Sequence, residues 1–316
     1  MQQQAAAPDG GEWRIWIERI LLFLGTAQII AGIFFFFAYN WDDLTRWQKL
    51  GITQGCVVLA AIGARVAGLD SLIGRLLLLA AGALVGVSFA VYGQIYQTGA
   101  DAFTLFASWA AVIVGWVLIA RFAAFWILWA LIVNVALALY LDAVTNLDSV
   151  EQSTLLGVLN GGFLMLHEFA RRRFVWLAHA WPRHILLAAC LVLLALATVE
   201  FMNDRAFRRW PALMSVRSDY IALPVFLIVA FLSYLWSRYR AHDLVGLFLV
   251  LLATSGVAWY AIHRTLYAAL EWREGLFLAM AVITLMISGL AGWWLHSSWL
   301  LLEGAKDGDG SRNDAK

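Results

Sequence analysis

Ten apolar runs, each near the length needed to cross a bilayer, dominate the chain and leave it little choice of fold. They fall near 17–39, 50–67, 75–96, 103–120, 122–141, 154–169, 185–202, 220–237, 244–262 and 275–296. A spanning helix needs about 20 predominantly apolar residues. The runs are continuous, whereas barrel strands would alternate lipid-facing and lumen-facing residues over about ten positions. An all-α, polytopic transmembrane helix bundle of about ten spans is therefore expected. Composition agrees: 63% of the 316 residues are hydrophobic and 14% are charged, against about 45–50% and 25% in soluble domains. A water-soluble globule is excluded.

The first run carries Ile29, Ile30, Ile33 and the block Phe34 to Phe37. On an insertion scale these seven contribute about −2 to −4 kcal/mol together. The run is also too long for a cleaved signal, so it is expected to remain as a span behind a short polar segment, 1–16. The sixth run is the weakest, because Asn160, Gly161 and Gly162 interrupt it. With ten spans and the N-terminus inside, 14 of the 22 Lys and Arg residues lie on the inner side. Without the sixth crossing the split is even. Positive residues favour the cytoplasmic side, so ten spans with both termini cytoplasmic are expected. The four arginines of the seventh connection, Arg205, Arg208, Arg209 and Arg217, fall on the outer side and run against that bias. Residues 303–316, rich in Gly, Asp, Ser and Asn, read as a disordered tail.

Tryptophans gather near the span ends, at Trp13, Trp16, Trp41, Trp47, Trp176, Trp181, Trp236, Trp293, Trp294 and Trp299. This is the pattern of an interfacial aromatic belt. Arg171, Arg172 and Arg173 form the densest basic cluster and read as a topology anchor or as a docking site for lipid or protein. Arg65, Glu168 and Glu200 read as boundary residues. Glycines four apart, Gly51 with Gly55, Gly82 with Gly86 and Gly157 with Gly161, would let helix backbones approach closely, within the bundle or between copies.

Several function classes are disfavoured. A net charge of +1 offers no basic stripe for nucleic acid. Cys56 and Cys190 have no second Cys or His at ligand spacing, so neither a disulfide framework nor a zinc site is expected, and no cofactor is implied. His167 is followed at the fourth position by Arg171, which breaks the metalloprotease motif. Mid-span polar groups are Gln28, Ser88, Asn134 and Asn160, with no Asp, Glu, Lys or Arg among them. An ion-coupled carrier usually holds a charge there. The amides suit interhelical hydrogen bonds, or could line a path for a small polar solute.

The most distinctive polar stretches are the first and third connections, which share the outer side in this topology. They carry Asn40, Trp41, Asp42, Asp43, Arg46 and Lys49, and then Gln94, Tyr96, Gln97 and Asp101. Capping explains part of them: Asp42 or Asp43 at the start of the second span, a left-handed Gly99 after the third, Asp101 at the start of the fourth. It does not explain the crowding of Gln94, Tyr96 and Gln97 beside Trp41 and its charged neighbours, which suits a polar ligand or a partner's loop. Asp42, Asp43 and Asp101 lack a His, Cys or Ser neighbour, so catalysis, for example on a lipid-linked substrate, is the least favoured reading.

From Ile20 to about Asp142 the chain resembles the bacterial membrane-protein family called domain of unknown function 2157. The likeness lies in Phe36-Phe37-Ala38-Tyr39-Asn40-Trp41-Asp42, Arg46-Trp47, Lys49-Leu50, the stretch Gly93 to Asp101, Leu105-Phe106 and Trp109-Ala110. The resemblance implies a family-like membrane region over 17–142, followed by additional helices over 143–302. It also implies a bacterial inner-membrane location and, because members often appear encoded beside other small membrane proteins, such proteins as partners. No activity or catalytic residue comes with it. The expectation is a non-catalytic component of an envelope membrane complex, with the two outer connections as contact surface and the lipid bilayer as surroundings. A transporter or channel lined by Gln28, Asn134 and Asn160 is the alternative.

Overall fold

A computed structural model describes residues 41–96, 99–203, 221–269 and 278–294, with single positions at 17, 21, 24, 28, 275 and 297. These residues are helical, with no strand among them. The helices are α1 (Arg46–Ala67), α2 (Leu72–Tyr96), α3 (Ala102–Ala120), α4 (Ala123–Val144), α5 (Ser149–Ala170), α6 (Trp181–Asn203), α7 (Ala222–Leu235), α8 (Leu244–Ala269) and α9 (Leu278–Trp294).

Seven of them are long and apolar enough to cross a membrane: α1 to α4, α6, α8, and α7 with the π-helical turn Trp236–Arg240 that extends it. Their outward faces carry large apolar side chains such as Leu59, Leu118, Leu131 and Phe231. That is the reverse of a water-facing surface. Of the ten expected spans, the first run lies almost wholly outside the described residues, and the last appears as the shorter helix α9. The sixth run does form a 22-residue helix, α5, although Asn160, Gly161 and Gly162 keep it from matching the other seven in apolar character.

Local sequence sets where the helices begin. Thr45, not Asp42 or Asp43, caps α1: its Oγ1 accepts the Gln48 N–H at 3.4 Å, and Gln48 Oε1 accepts the Thr45 N–H at 2.8 Å. This corrects the expected aspartate cap. The two aspartates precede the helix in a turn closed by Leu44 N–H to Trp41 C=O at 3.2 Å, so they lie too early to reach its free donors. Asp148 and Glu151 form the same reciprocal capping box at α5, at 2.9 and 3.2 Å. Two such devices satisfy backbone donors that a helix start otherwise leaves open.

The antiparallel pair α5 and α6 forms the spine of the second half. Ser149 bonds Glu200 at one end, Gly157 meets Leu194, Gly161 meets Cys190, and Glu168 faces Arg183 at the other end. A Cβ on Gly157 would come within 2.6 Å of Leu194 Cγ, so glycine is what permits the approach. In the first half, a Cβ on Gly82 would strike the Phe125 ring, and one on Gly86 would sit 2.5 Å from Trp109. The Trp109 indole N–H donates to the Gly82 carbonyl at 2.7 Å across the same close contact. Gly51 and Gly55, by contrast, meet nothing within 4 Å among the described residues. Thus two of the three glycine pairs serve packing inside the bundle.

Buried side chains follow this division. One cluster joins α1 to α4 through Leu78, Ile113, Val117, Phe125 and Ile132. Another joins α6, α7 and α8 through Leu191, Leu194, Phe226, Val250 and Val257. Ala130, Phe163 and Leu186 bridge them.

Candidate functional site

The first and third connections do meet. The Trp41 indole N–H donates to Gln94 Oε1 at 3.3 Å, clasping the turn before α1 to the last turn of α2. Lys49 Nζ lies 5.3 Å from the centre of the Trp41 ring, and the Arg46 guanidinium 5.6 Å from that of Trp47. Both fall within the range of a cation–π attraction. Tyr96 packs on Tyr92 with ring centres 4.6 Å apart. Gly99 has φ +61°, the left-handed conformation expected after the helix. Asn40 and Gln97 lie outside the described residues.

Asp101 occupies the position before α3, but its carboxylate makes no cap hydrogen bond. Its carbonyl instead accepts the Thr104 N–H at 3.0 Å and the Thr104 hydroxyl at 2.6 Å. The expected carboxylate cap is therefore corrected, because Thr104 from the first turn takes over the closure. Asp42, Asp43 and Asp101 are all exposed, and their carboxylates make no hydrogen bond or ion pair among the described residues. Among those residues no group of three or more His, Cys, Asp or Glu side chains is placed to hold a metal ion.

Asn134 and Asn160 come together between α4 and α5, while Gln28 is an exposed helical position away from any described partner. Asn160 is buried, and both amides also donate to carbonyls of their own helices, at Ala130 and Leu156. Their hydrogen-bonding capacity is turned on each other rather than toward a cavity.

Sequence reading missed a second polar centre, at the opposite end of the bundle. Arg183, on the first turn of α6, has a side chain only 8% exposed. One guanidinium nitrogen, Nη2, pairs with Asp243 between α7 and α8, and Nη1 lies 3.8 Å from Glu168 at the end of α5. Arg171 Nη1 holds the same Glu168 at 3.1 Å. Glu168 is thus an internal ion-pair partner rather than a boundary carboxylate. His184 Nε2 lies 2.9 and 3.1 Å from the two Asp243 oxygens. A carboxylate accepts only, so Nε2 carries the proton and donates.

The backbone holds Asp243 in place. His242 adopts φ +50°, turning the chain sharply after the π-helical segment, and Asp243 Oδ2 accepts the Gly246 N–H at 3.0 Å as the cap of α8. A Cβ on Gly246 would press on that carboxylate and come within 2.6 Å of Ser237 Oγ. Arg183 Nε is buried with no hydrogen-bond partner among the described residues, as is Arg238 Nη1 on the π-helical turn. Leaving a buried donor unmet costs about 1–3 kcal/mol. A signal was legible, since Pro182-Arg183-His184 and the lone acid Asp243 sit in the sixth and eighth connections, which share a side.

Beside this centre, α5, α6 and α7 line an open groove of about 390 Å³. Its apolar lining includes Leu164, Met165, Phe169, Leu187, Leu232 and Trp236, and its polar lining is Glu168, Arg172, Arg183, Ser233 and Ser237.

No curated protein and no solved structure matches the chain. Over residues 2–126 the chain matches the sequence model of one family, described as predicted membrane protein (DUF2157), and its several apolar helices are those of a membrane protein.

Proposed function

We propose that this protein is a non-catalytic component of a bacterial inner-membrane complex, and that its partners, small membrane proteins, dock on the end that carries 41–49, 94–96 and 99–101. The carrying observation is the Trp41–Gln94 clasp between connections that carry three exposed carboxylates, Asp42, Asp43 and Asp101, none of which makes a cap bond or ion pair among the described residues. Exposed carboxylates and an exposed Trp47 on a clasped pair of connections suit recognition of another protein's polar loop. The arrangement offers no nucleophile with a base beside it, which acyl or phosphoryl transfer would need.

The topology we adopt has ten crossings with both termini cytoplasmic. Support comes from α5, whose two ends are tied to the two ends of α6 through Ser149–Glu200 and Glu168–Arg183. Those ties lie about 28 Å apart along the axis at about 1.5 Å per residue, close to a hydrocarbon core of about 30 Å. In this topology the clasp lies on the outer face and Arg171 to Arg173 on the inner. A solute path lined by Asn134 and Asn160 is less well supported, because the two amides bond each other.

Photo-crosslinking in intact cells tests the docking surface. A crosslinker placed at position 43 or 101 should join the chain to the membrane proteins encoded beside it, and a crosslinker at position 172 should not. Replacing Trp41, Gln94, Tyr96 and Asp101 together should abolish those adducts without affecting insertion. Adducts unchanged by the fourfold replacement would count against the reading.

A further inference from the structure

We infer that the groove between α5, α6 and α7 binds one anionic phospholipid, with an acyl chain along its apolar walls and the phosphate at Arg172 and Arg183. The volume, about 390 Å³, falls within the range of small-molecule sites, and the lining divides by chemistry. Leu164, Phe169, Leu187, Leu232 and Trp236 supply a continuous apolar wall that suits a hydrocarbon chain. Arg172, Arg183, Glu168, Ser233 and Ser237 supply its polar groups.

Charge selects the headgroup. Arg183 and Arg171 are matched by Glu168 and Asp243, leaving Arg172 exposed and without an ion pair among the described residues. Arg183 is more than nine-tenths buried and still holds an unpartnered Nε while lining the groove. Guanidinium N–H groups in a planar fork fit phosphate oxygens. A phosphate between the two arginines would satisfy that donor and neutralise the surplus positive charge. Depth is consistent: Trp181 and Trp236 are exposed at helix ends beside the site, where amphipathic rings mark headgroup level. Basic pockets between spans on the cytoplasmic side are a known way of holding anionic headgroups.

The test uses the full chain, delipidated in a neutral detergent, then exposed separately to dioleoyl phosphatidylglycerol, dioleoyl phosphatidylcholine and inorganic phosphate. Native mass spectrometry counts what stays bound. One phosphatidylglycerol per chain is expected, retained about tenfold better than phosphatidylcholine and not displaced by millimolar phosphate. Arg172→Gln removes a headgroup contact, and Ser233→Phe fills the groove without touching the ion pairs. Both should lose the adduct while helicity is kept. If Ser233→Phe loses helicity, Leu232→Trp, at an exposed wall position, fills the same groove. Equal retention of the two lipids, displacement by phosphate, or persistence of the adduct in either the headgroup or the groove variant would overturn the assignment.

Discussion

Asn134 and Asn160 exchange hydrogen bonds across the α4–α5 interface, with Asn160 Nδ2 donating to Asn134 Oδ1 at 2.6 Å and Asn134 Nδ2 returning a longer bond of 3.3 Å. Two amides in an apolar interior are tolerable only as a pair, since each supplies what the other would lack. The pair also ties the first half of the bundle to α5.

Asn160→Leu alone should therefore destabilise the protein more than the double replacement of Asn134 and Asn160 by Leu. The single change strands a polar group at a cost of about 1–3 kcal/mol, whereas the double change removes both. Thermal unfolding in detergent, followed by helicity, measures the difference. A double variant weaker than either single one would show that the pair does more than satisfy itself.

Gly157 should resist any enlargement. At 2.6 Å, the Cβ of Gly157→Ala would meet Leu194 Cγ, and Leu194 is fully buried and cannot swing away. Overpacking of this kind costs about 1–3 kcal/mol. Gly51→Ala, whose Cβ would meet nothing within 4 Å among the described residues, should be neutral or slightly stabilising, because alanine favours helix by about 1 kcal/mol over glycine. Comparing the two by the same unfolding assay separates glycines used for packing from those that are merely present.

Helix positions were legible because apolar run length is a direct consequence of bilayer thickness, and the Trp41–Gln94 meeting followed from parity, odd connections emerging together. Two capping boxes, Thr45-x-x-Gln48 and Asp148-x-x-Glu151, were also written in the sequence. Asp42 and Asp43, beside the first of them, are cap candidates by residue type as good as Thr45, and only their place in the preceding turn disqualifies them. The Arg183–Asp243 centre was harder to see. Its members are 60 positions apart, and a charge at the end of an apolar run looks the same whether it snorkels to water or turns inward to a partner. Only packing of α5, α6 and the π-helical turn against one another decides between them.

Breaking the Arg183–Asp243 pair should be costly, and Asp243→Asn is the informative change. Asparagine keeps an oxygen for the Gly246 N–H, so the cap of α8 survives while the charge disappears. Among the described residues Arg183 is then left buried with the 3.8 Å contact to Glu168 as its remaining ion pair. Losing one partner of a buried pair costs about 3–5 kcal/mol. Adding Arg183→Met should recover a large part of that loss. The cycle is read from unfolding midpoints of the four proteins; additive effects would mean that the two groups do not depend on each other.

Sidedness can be read directly, because the clasp end and the Arg183 end hold exposed positions in the described residues. In a background with Cys56→Ala and Cys190→Ala, single cysteines at positions 42, 101 and 172 report on the two ends. Cys56 must go because it is exposed, whereas Cys190 is buried against Gly161 and its replacement guards against slow labelling. A membrane-impermeant maleimide applied to intact spheroplasts should modify positions 42 and 101 alike and leave position 172 unreacted until the membrane is opened. If α5 did not cross, the chain would return on the wrong side after Val144, and position 172 would label together with 42 and 101. The same three positions therefore decide the weakest crossing, the face on which the carboxylates are displayed, and the leaflet that supplies lipid to the groove.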